Sequence, residues 1–238
     1  MQVHERVLAR YVVYGKDGTQ RVPSFLMSIV LTLHSYPLHT YLVYLFHMIL
    51  TPEKEALFTF LNTQLSLATF AGLIILLFWG ADLLLLRLRI LSKYRAYYRP
   101  IARYALPIGF LVTFSSTLLS LTYSDYLGIL PCGLCWFQRI FVYGMMFLFG
   151  MAWYKNDKKI FDYILLFSGV GLVIALYQHY LQMGYSELIP CPAIASTVDC
   201  AKPTFIEYGF ITFPFMSAVM FSFTILLSLT VKMFEKGK

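Results

Sequence analysis

Apolar residues along this chain come in long runs, not in the period-two alternation of strands or the one-sided stripe of a soluble helix. Short clusters of charge separate the runs. A helix needs about 20 mostly apolar residues to cross a bilayer. Runs of that size predict spans at residues 63–86, 105–123, 135–154, 160–183 and 210–231. A weaker run, 25–50, is interrupted by His34, Pro37, His39 and His47. Residues 51–62 read as a short polar connection, 124–130 as a short loop, and 184–209 as a long loop containing Pro190, Pro192 and Pro203. The expected fold class is an all-α integral membrane protein: a four-helix transmembrane bundle with one or two additional N-terminal spans. A composition boundary near residue 100 predicts an N-terminal membrane region of unassigned role (1–104) and a four-span unit carrying every cysteine (105–238).

Composition agrees with the pattern. Hydrophobic residues make up 59% and charged residues only 13%, where soluble domains carry about a quarter charged. The net charge of +7 is no nucleic-acid footprint, because the basic residues sit in clusters between apolar runs and not across a polar face. Such clusters mark the cytoplasmic side of a membrane protein. Arg87, Arg89, Lys93, Arg95, Arg99 and Arg103 form one cluster without an acid; Lys155, Lys158 and Lys159 form a second; Lys232, Lys236 and Lys238 close the chain. All three fall on one side when spans alternate. Arg6, Arg10, Lys16 and Arg21 join them if 25–50 spans, which favours six spans over five. Residues 1–23 are polar and mixed in charge, unlike a signal peptide.

The four cysteines, Cys132, Cys135, Cys191 and Cys200, all fall in or beside the two loops on the opposite side. Disulfides persist outside the cytoplasm, so two redox pairs are plausible there. Cys132-Gly-Leu-Cys135 follows Pro131 at the start of a helix, where exposed amides favour a thiolate. The alternatives are a structural disulfide or half of a zinc site, and neither loop offers a histidine for the metal. Cys132, Cys135 and Arg139 share one helical face. Among 19 basic residues Arg139 alone lies within an apolar run, and charge at membrane depth points to function or to snorkelling at the interface. Cys191 and Cys200 sit in a loop of about 25 residues, long enough to move across the membrane surface. His34, His39 and His47 do not share one face, and packing explains them better than ligation. Asp82 lies near the basic end of its span.

The segment PCGLCWFQR resembles the first outward-loop motif of DsbB-type proteins, particularly the BdbC-like branch: Pro-Cys-x-x-Cys with an arginine four residues after the second cysteine. YQHYLQMGYSELIPC resembles the end of that family's third core helix, and GFITFPFMSAVMF the start of its fourth. The likeness covers residues 105–231. A vitamin K epoxide reductase-like chain would place its loop pair before the C-x-x-C. The resemblance implies a thiol:quinone oxidoreductase in the bacterial cytoplasmic (inner) membrane, with ubiquinone or menaquinone as cofactor. It implies that Cys132 and Cys135 form the quinone-proximal pair, with Cys135 engaging the quinone beside Arg139 and His179. Cys191 and Cys200 then exchange with a soluble DsbA-like thiol oxidant, Cys191 being the sulfur attacked. Gln138 departs from members that carry an acid there, and residues 1–104 lie outside the likeness. A non-enzymatic subunit or transporter stapled by inert disulfides is the alternative, and a reductase carrying electrons outward is a second.

The charge pattern places both cysteine loops outside. Impermeant thiol reagents applied to reduced, intact cells, with any outer membrane opened, should label Cys191 or Cys200. Labelling only after lysis would reverse the orientation.

Overall fold

The computed structural model describes the backbone of residues 13–14, 20–21, 37–88, 95–189, 191 and 199–235, with side chains at 53–88, 97–189, 191 and 199–234. Two strands of two residues, β1 (Val13–Tyr14) and β2 (Gln20–Arg21), pair antiparallel. Six α-helices follow: α1 (Pro37–Arg87), α2 (Arg95–Arg103), α3 (Ala105–Leu121), α4 (Gly133–Lys155), α5 (Ile160–Gln182) and α6 (Phe213–Glu235). Among the described residues five helical stretches are long and apolar enough to cross a membrane: Glu53–Arg87, Ala105–Tyr126, Gly133–Lys155, Ile160–Gln182 and Phe213–Phe234. The protein is an all-α membrane protein.

Contacts divide the chain into two compact units, Met1–Leu57 and Phe58–Lys238. Leu76, Trp79 and Leu83 of α1, with Tyr98 and Ala102 of α2, are buried in one apolar core with Leu106, Met145, Phe149, Phe161, Ile164, Phe221 and Leu227. Composition changed at residue 100, but burial follows the inward stripe of α1. Residues 51–62 are helical and not a connection. Glu, Lys, Ala and Leu are good helix formers, and polarity alone does not end a helix. Residues 25–36 of the weak run lie outside the described residues. The loop expected at 124–130 begins as a π-helical turn, Thr122–Tyr126, continuing α3. Asn156, in the left-handed conformation at φ 52°, closes α4 inside the predicted charged turn.

In lipid a buried polar group left without a partner is costly. Thr113 and Thr117 donate to the carbonyls of Gly109 and Thr113 at 2.8 and 2.9 Å. Ser168 of α5 and Thr224 of α6 share a hydrogen bond of 2.7 Å. At the basic end Tyr98 donates to Asp82 Oδ2 at 2.7 Å, so the acid near the end of its span has a partner. Burial first, and that hydrogen bond second, push the Tyr98 phenol above its ordinary range. Lys232 pairs with Asp162 across α5 and α6.

Close approach of the helices rests on two glycines. A Cβ on Gly109 would lie 2.4 Å from the Phe149 ring, and one on Gly171 would lie 2.4 Å from the Phe221 ring. Small residues let membrane helices touch, and both partner rings are wholly buried, with no space to retreat. Gly171→Val should overpack this contact at a cost of about 1–3 kcal/mol, lowering the apparent Tm in detergent by roughly 3–10 °C. Gly169→Ala, where a Cβ meets nothing within 4 Å, should leave the melting curve where it was.

Candidate functional site: two cysteine pairs above a membrane cavity

Pro131 ends the loop after the π turn, and Cys132 takes the N-cap of α4 with extended backbone, φ −75° and ψ 174°. Its sulfur accepts from the Cys135 amide at 3.4 Å, satisfying one of the free N–H groups of the first turn. The two sulfurs are reduced and 2.9 Å apart. Cys132 is buried and Cys135 half-buried.

One side chain from α5 reaches both sulfurs. Gln178 Nε2 lies 3.0 Å from Cys132 Sγ and 3.2 Å from Cys135 Sγ. Gln178 Oε1 accepts from Gln138 Nε2 at 2.6 Å. That second bond fixes which end of the Gln178 amide faces the sulfurs, since Oε1 is already engaged. Both glutamines are buried. A neutral amide thus supplies the polar contact at the pair. The Cys132 thiol is pushed well above its usual range, by its hydrogen bond with Cys135 first and by burial second. The helix amides act in the other direction and weigh less. The thiolate expected from the helix N-terminus is therefore opposed at Cys132.

Arg139 lies one turn further along α4. One N–H donates to the Ser120 carbonyl at 3.1 Å, and the guanidinium carbon sits 5.3 Å from the Trp136 ring centroid. Arg139 is held inside the protein as well as near its end. Together with Cys135, Gln138 and Gln178 it lines a cavity of about 280 Å³. The remaining wall is largely apolar, with Leu119, Val142 and Met220 among its residues.

The second pair is closed. Cys191 and Cys200 form a disulfide with Cα atoms 6.0 Å apart. Cys200 is wholly buried, in one cluster with Cys132, Leu134 and Leu181, and Cys191 packs against that cluster half-buried. The long loop was expected to expose its disulfide; only the Cys191 side reaches the surface. The loop's near end is held by Tyr177, whose hydroxyl accepts from Ile189 N at 2.8 Å and donates to Ile189 O at 2.5 Å. Residues 192–198 lie outside the described residues.

The structure brings together Cys132, Cys135, Arg139, Cys191 and Cys200. His179 is not among the residues lining the cavity. Its Nδ1 lies 3.0 Å from Thr212 Oγ1 and its ring 5.0 Å from that of Phe215. Its sequence neighbour Gln178 occupies the place beside the sulfurs. The available signal for Gln178 was an amide ending an apolar run, since a buried amide needs partners.

A bundle of membrane helices that holds an open cysteine pair against a closed one defines a protein of thiol–disulfide chemistry. The model of the family described as "Disulfide bond formation protein DsbB" matches residues 102–231, and the chain belongs to that family. It is 38% identical over 129 residues to the SPbeta prophage-derived disulfide bond formation protein B of Bacillus subtilis (strain 168), covering 54% of this chain and 84% of that protein. Disulfide bond formation protein C of the same organism is 33% identical over 116 residues, 48% of this chain and 81% of the relative. A probable disulfide formation protein of Chlamydia caviae is 38% identical over 117 residues, 49% and 83% respectively. No solved structure matches the chain significantly. The protein is a disulfide bond formation membrane protein, and an oxidoreductase by family.

Removing the Gln178 amide should be felt at the sulfurs. A hydrogen bond to a charged group contributes about 1.5–3 kcal/mol, so Gln178→Leu should slow alkylation of the reduced C-x-x-C pair at neutral pH by roughly tenfold or more. Stopped-flow alkylation of the full chain in detergent, with the loop disulfide intact, measures this. An unchanged rate would leave Gln178 a packing residue.

Proposed function

We propose that this protein is a membrane thiol:quinone oxidoreductase that reoxidises a soluble, extracytoplasmic DsbA-like protein. Its membrane is the bacterial cytoplasmic (inner) membrane, with both cysteine loops outward. The observation that carries the reading is the line of sulfur from surface to cavity: Cys191 at the surface, Cys200 buried in one cluster with Cys132, and Cys135 on the cavity wall.

The cavity suits a quinone ring of the ubiquinone or menaquinone type. Its volume lies at the lower edge of the roughly 300–1,000 Å³ usual for small-molecule sites, its walls are mainly apolar, and Arg139 brings a fork of donors suited to a carbonyl oxygen. When bound, a quinone is the acceptor of two electrons and two protons.

The rest is done by this chain's residues. A partner thiolate attacks Cys191 Sγ and frees Cys200 as a thiolate. Cys200 attacks Cys132 of a closed Cys132–Cys135 disulfide and frees Cys135. The partner's second thiolate resolves its mixed disulfide and leaves as a disulfide, releasing Cys191. Cys191 then attacks Cys200, restores the loop disulfide and releases Cys132. Two electrons and two protons now reside on Cys132 and Cys135, and pass to the acceptor as that pair closes. Gln178 holds the two sulfurs in place for that closure. Cys135, the sulfur on the cavity wall, faces the acceptor. Arg139 orients a carbonyl oxygen. His179, bonded to Thr212 just before α6 and packed on Phe215 of that helix, acts on the site through α6.

A partner protein with only its attacking cysteine should form a covalent complex through Cys191. Cys191→Ser should abolish the complex, while Cys135→Ser should permit it and stop quinone reduction. Arg139→Ala should raise the quinone KM by about ten- to a hundredfold, the equivalent of one charged hydrogen bond, and Arg139→Lys by less, because lysine lacks the planar fork. A partner trapped on Cys132 or Cys135 with the loop disulfide intact would reverse the order of transfer.

A further inference from the structure

We propose that the Glu53–Arg87 span of α1, which lies outside the residues matched by the family model, forms one wall of the quinone cavity and selects by size the ring that fits there. This rests on the quinone reading above.

Leu65 and Thr69 of α1 line the same cavity as Cys135 and Arg139. They belong to the inward stripe of the helix. Asn62, Ser66, Thr69, Leu76 and Leu83 are buried, at spacings of three, four and seven residues that keep one face toward the bundle. The polar members of that stripe lie at the cysteine end.

Two further contacts make α1 part of the site. Tyr123, on the cavity wall, donates its hydroxyl to Asn62 Oδ1 at 2.7 Å, and both residues are buried. Phe58 packs edge-on against Tyr123 at 6.1 Å and against Phe205 at 6.4 Å. Phe213 closes the circle, 4.6 Å from Tyr123 and 4.6 Å from Phe205. Tyr123 and Phe213 are wall residues, so α1 touches one ring of the wall directly and the other through Phe205, besides supplying Leu65 and Thr69.

The chemistry of this side is apolar. Thr69 donates its hydroxyl to the Leu65 carbonyl at 2.7 Å, and the Tyr123 proton goes to Asn62. Donors stand on the α4 side instead, at Arg139 and Gln138. Leu65 and Thr69 offer the cavity no free donor, so this part of the wall reads shape and not hydrogen bonding. An apolar pocket discriminates by roughly 10–200-fold for each methylene-sized difference. Ubiquinone and menaquinone differ in ring width, the first a monocyclic benzoquinone and the second a bicyclic naphthoquinone. The α1 wall favours the narrower ring.

The test is equilibrium binding by calorimetry of a short-chain benzoquinone and a short-chain naphthoquinone to the full-length protein in detergent. Both cysteine pairs are first oxidised, so no electrons flow. Leu65→Ala and Thr69→Ala should each shift the affinity ratio toward the naphthoquinone by about tenfold. Leu77→Ala, on the exposed face of the same helix, should not shift it. Unchanged ratios in both cavity variants, with a quinone still bound, would overturn the wall and leave the quinone site standing. Failure of either quinone to bind the unaltered protein would overturn the site reading and the wall together.

Discussion

The site depends on one hydrogen-bonded amide, the Gln178 side chain poised over both sulfurs of the C-x-x-C pair. A buried amide without partners costs several kcal/mol in an apolar medium, so its position is specified strongly. Gln138 fixes its orientation from α4, and the helices must run close for the contact to exist. Gly171, with the Phe221 ring seated where a Cβ would stand, lets α6 close against α5. The Ser168–Thr224 bond holds those helices together at depth. The packing of the bundle and the geometry of the sulfurs are thus one problem with one solution.

The membrane architecture was legible because a bilayer imposes a length and a polarity that appear directly as apolar runs. The spans at 105–123, 135–154, 160–183 and 210–231 agree with α3 to α6 to within a few residues. Arg139 was legible for a related reason, since a charge inside an apolar run stands out. Gln178 was not, because an uncharged amide beside a histidine carries no such contrast and its meaning comes from a sulfur 46 positions away. His179 drew attention through the motif, yet helical geometry turns adjacent residues about 100° apart, and the cavity lies on its neighbour's side. The inward face of α1 was not legible for a different reason. Composition records where loops are charged, whereas domain limits are set by burial, and the buried stripe of α1 is only visible once its partners are known.

The polar stripe at one end of α1 and the apolar stripe at the other follow the depth of the bundle. Near the cysteines, Asn62 and Thr69 meet groups that need hydrogen bonds or line space. Toward the basic end, Trp79 lies edge-on to Phe223 at 5.6 Å and Leu83 is buried in the main core. One helix therefore serves two purposes along its length, a lining above and a staple below. A bundle of α3 to α6 alone would leave both kinds of surface uncovered.

The unequal burial of the loop disulfide bears on how a cell keeps this chemistry from being short-circuited. Any small thiol that meets an accessible sulfur is able to attack it. Cys200 is wholly buried beside Cys132, and of the loop pair only Cys191 is within reach of solvent. A small molecule that attacks Cys191 liberates Cys200 into an enclosed space whose nearest use is inward. The same burial keeps Cys132 from meeting stray thiols directly. On the proposed direction of transfer, the fold insulates its internal wiring and leaves a single terminal, Cys191, through which reducing equivalents are admitted.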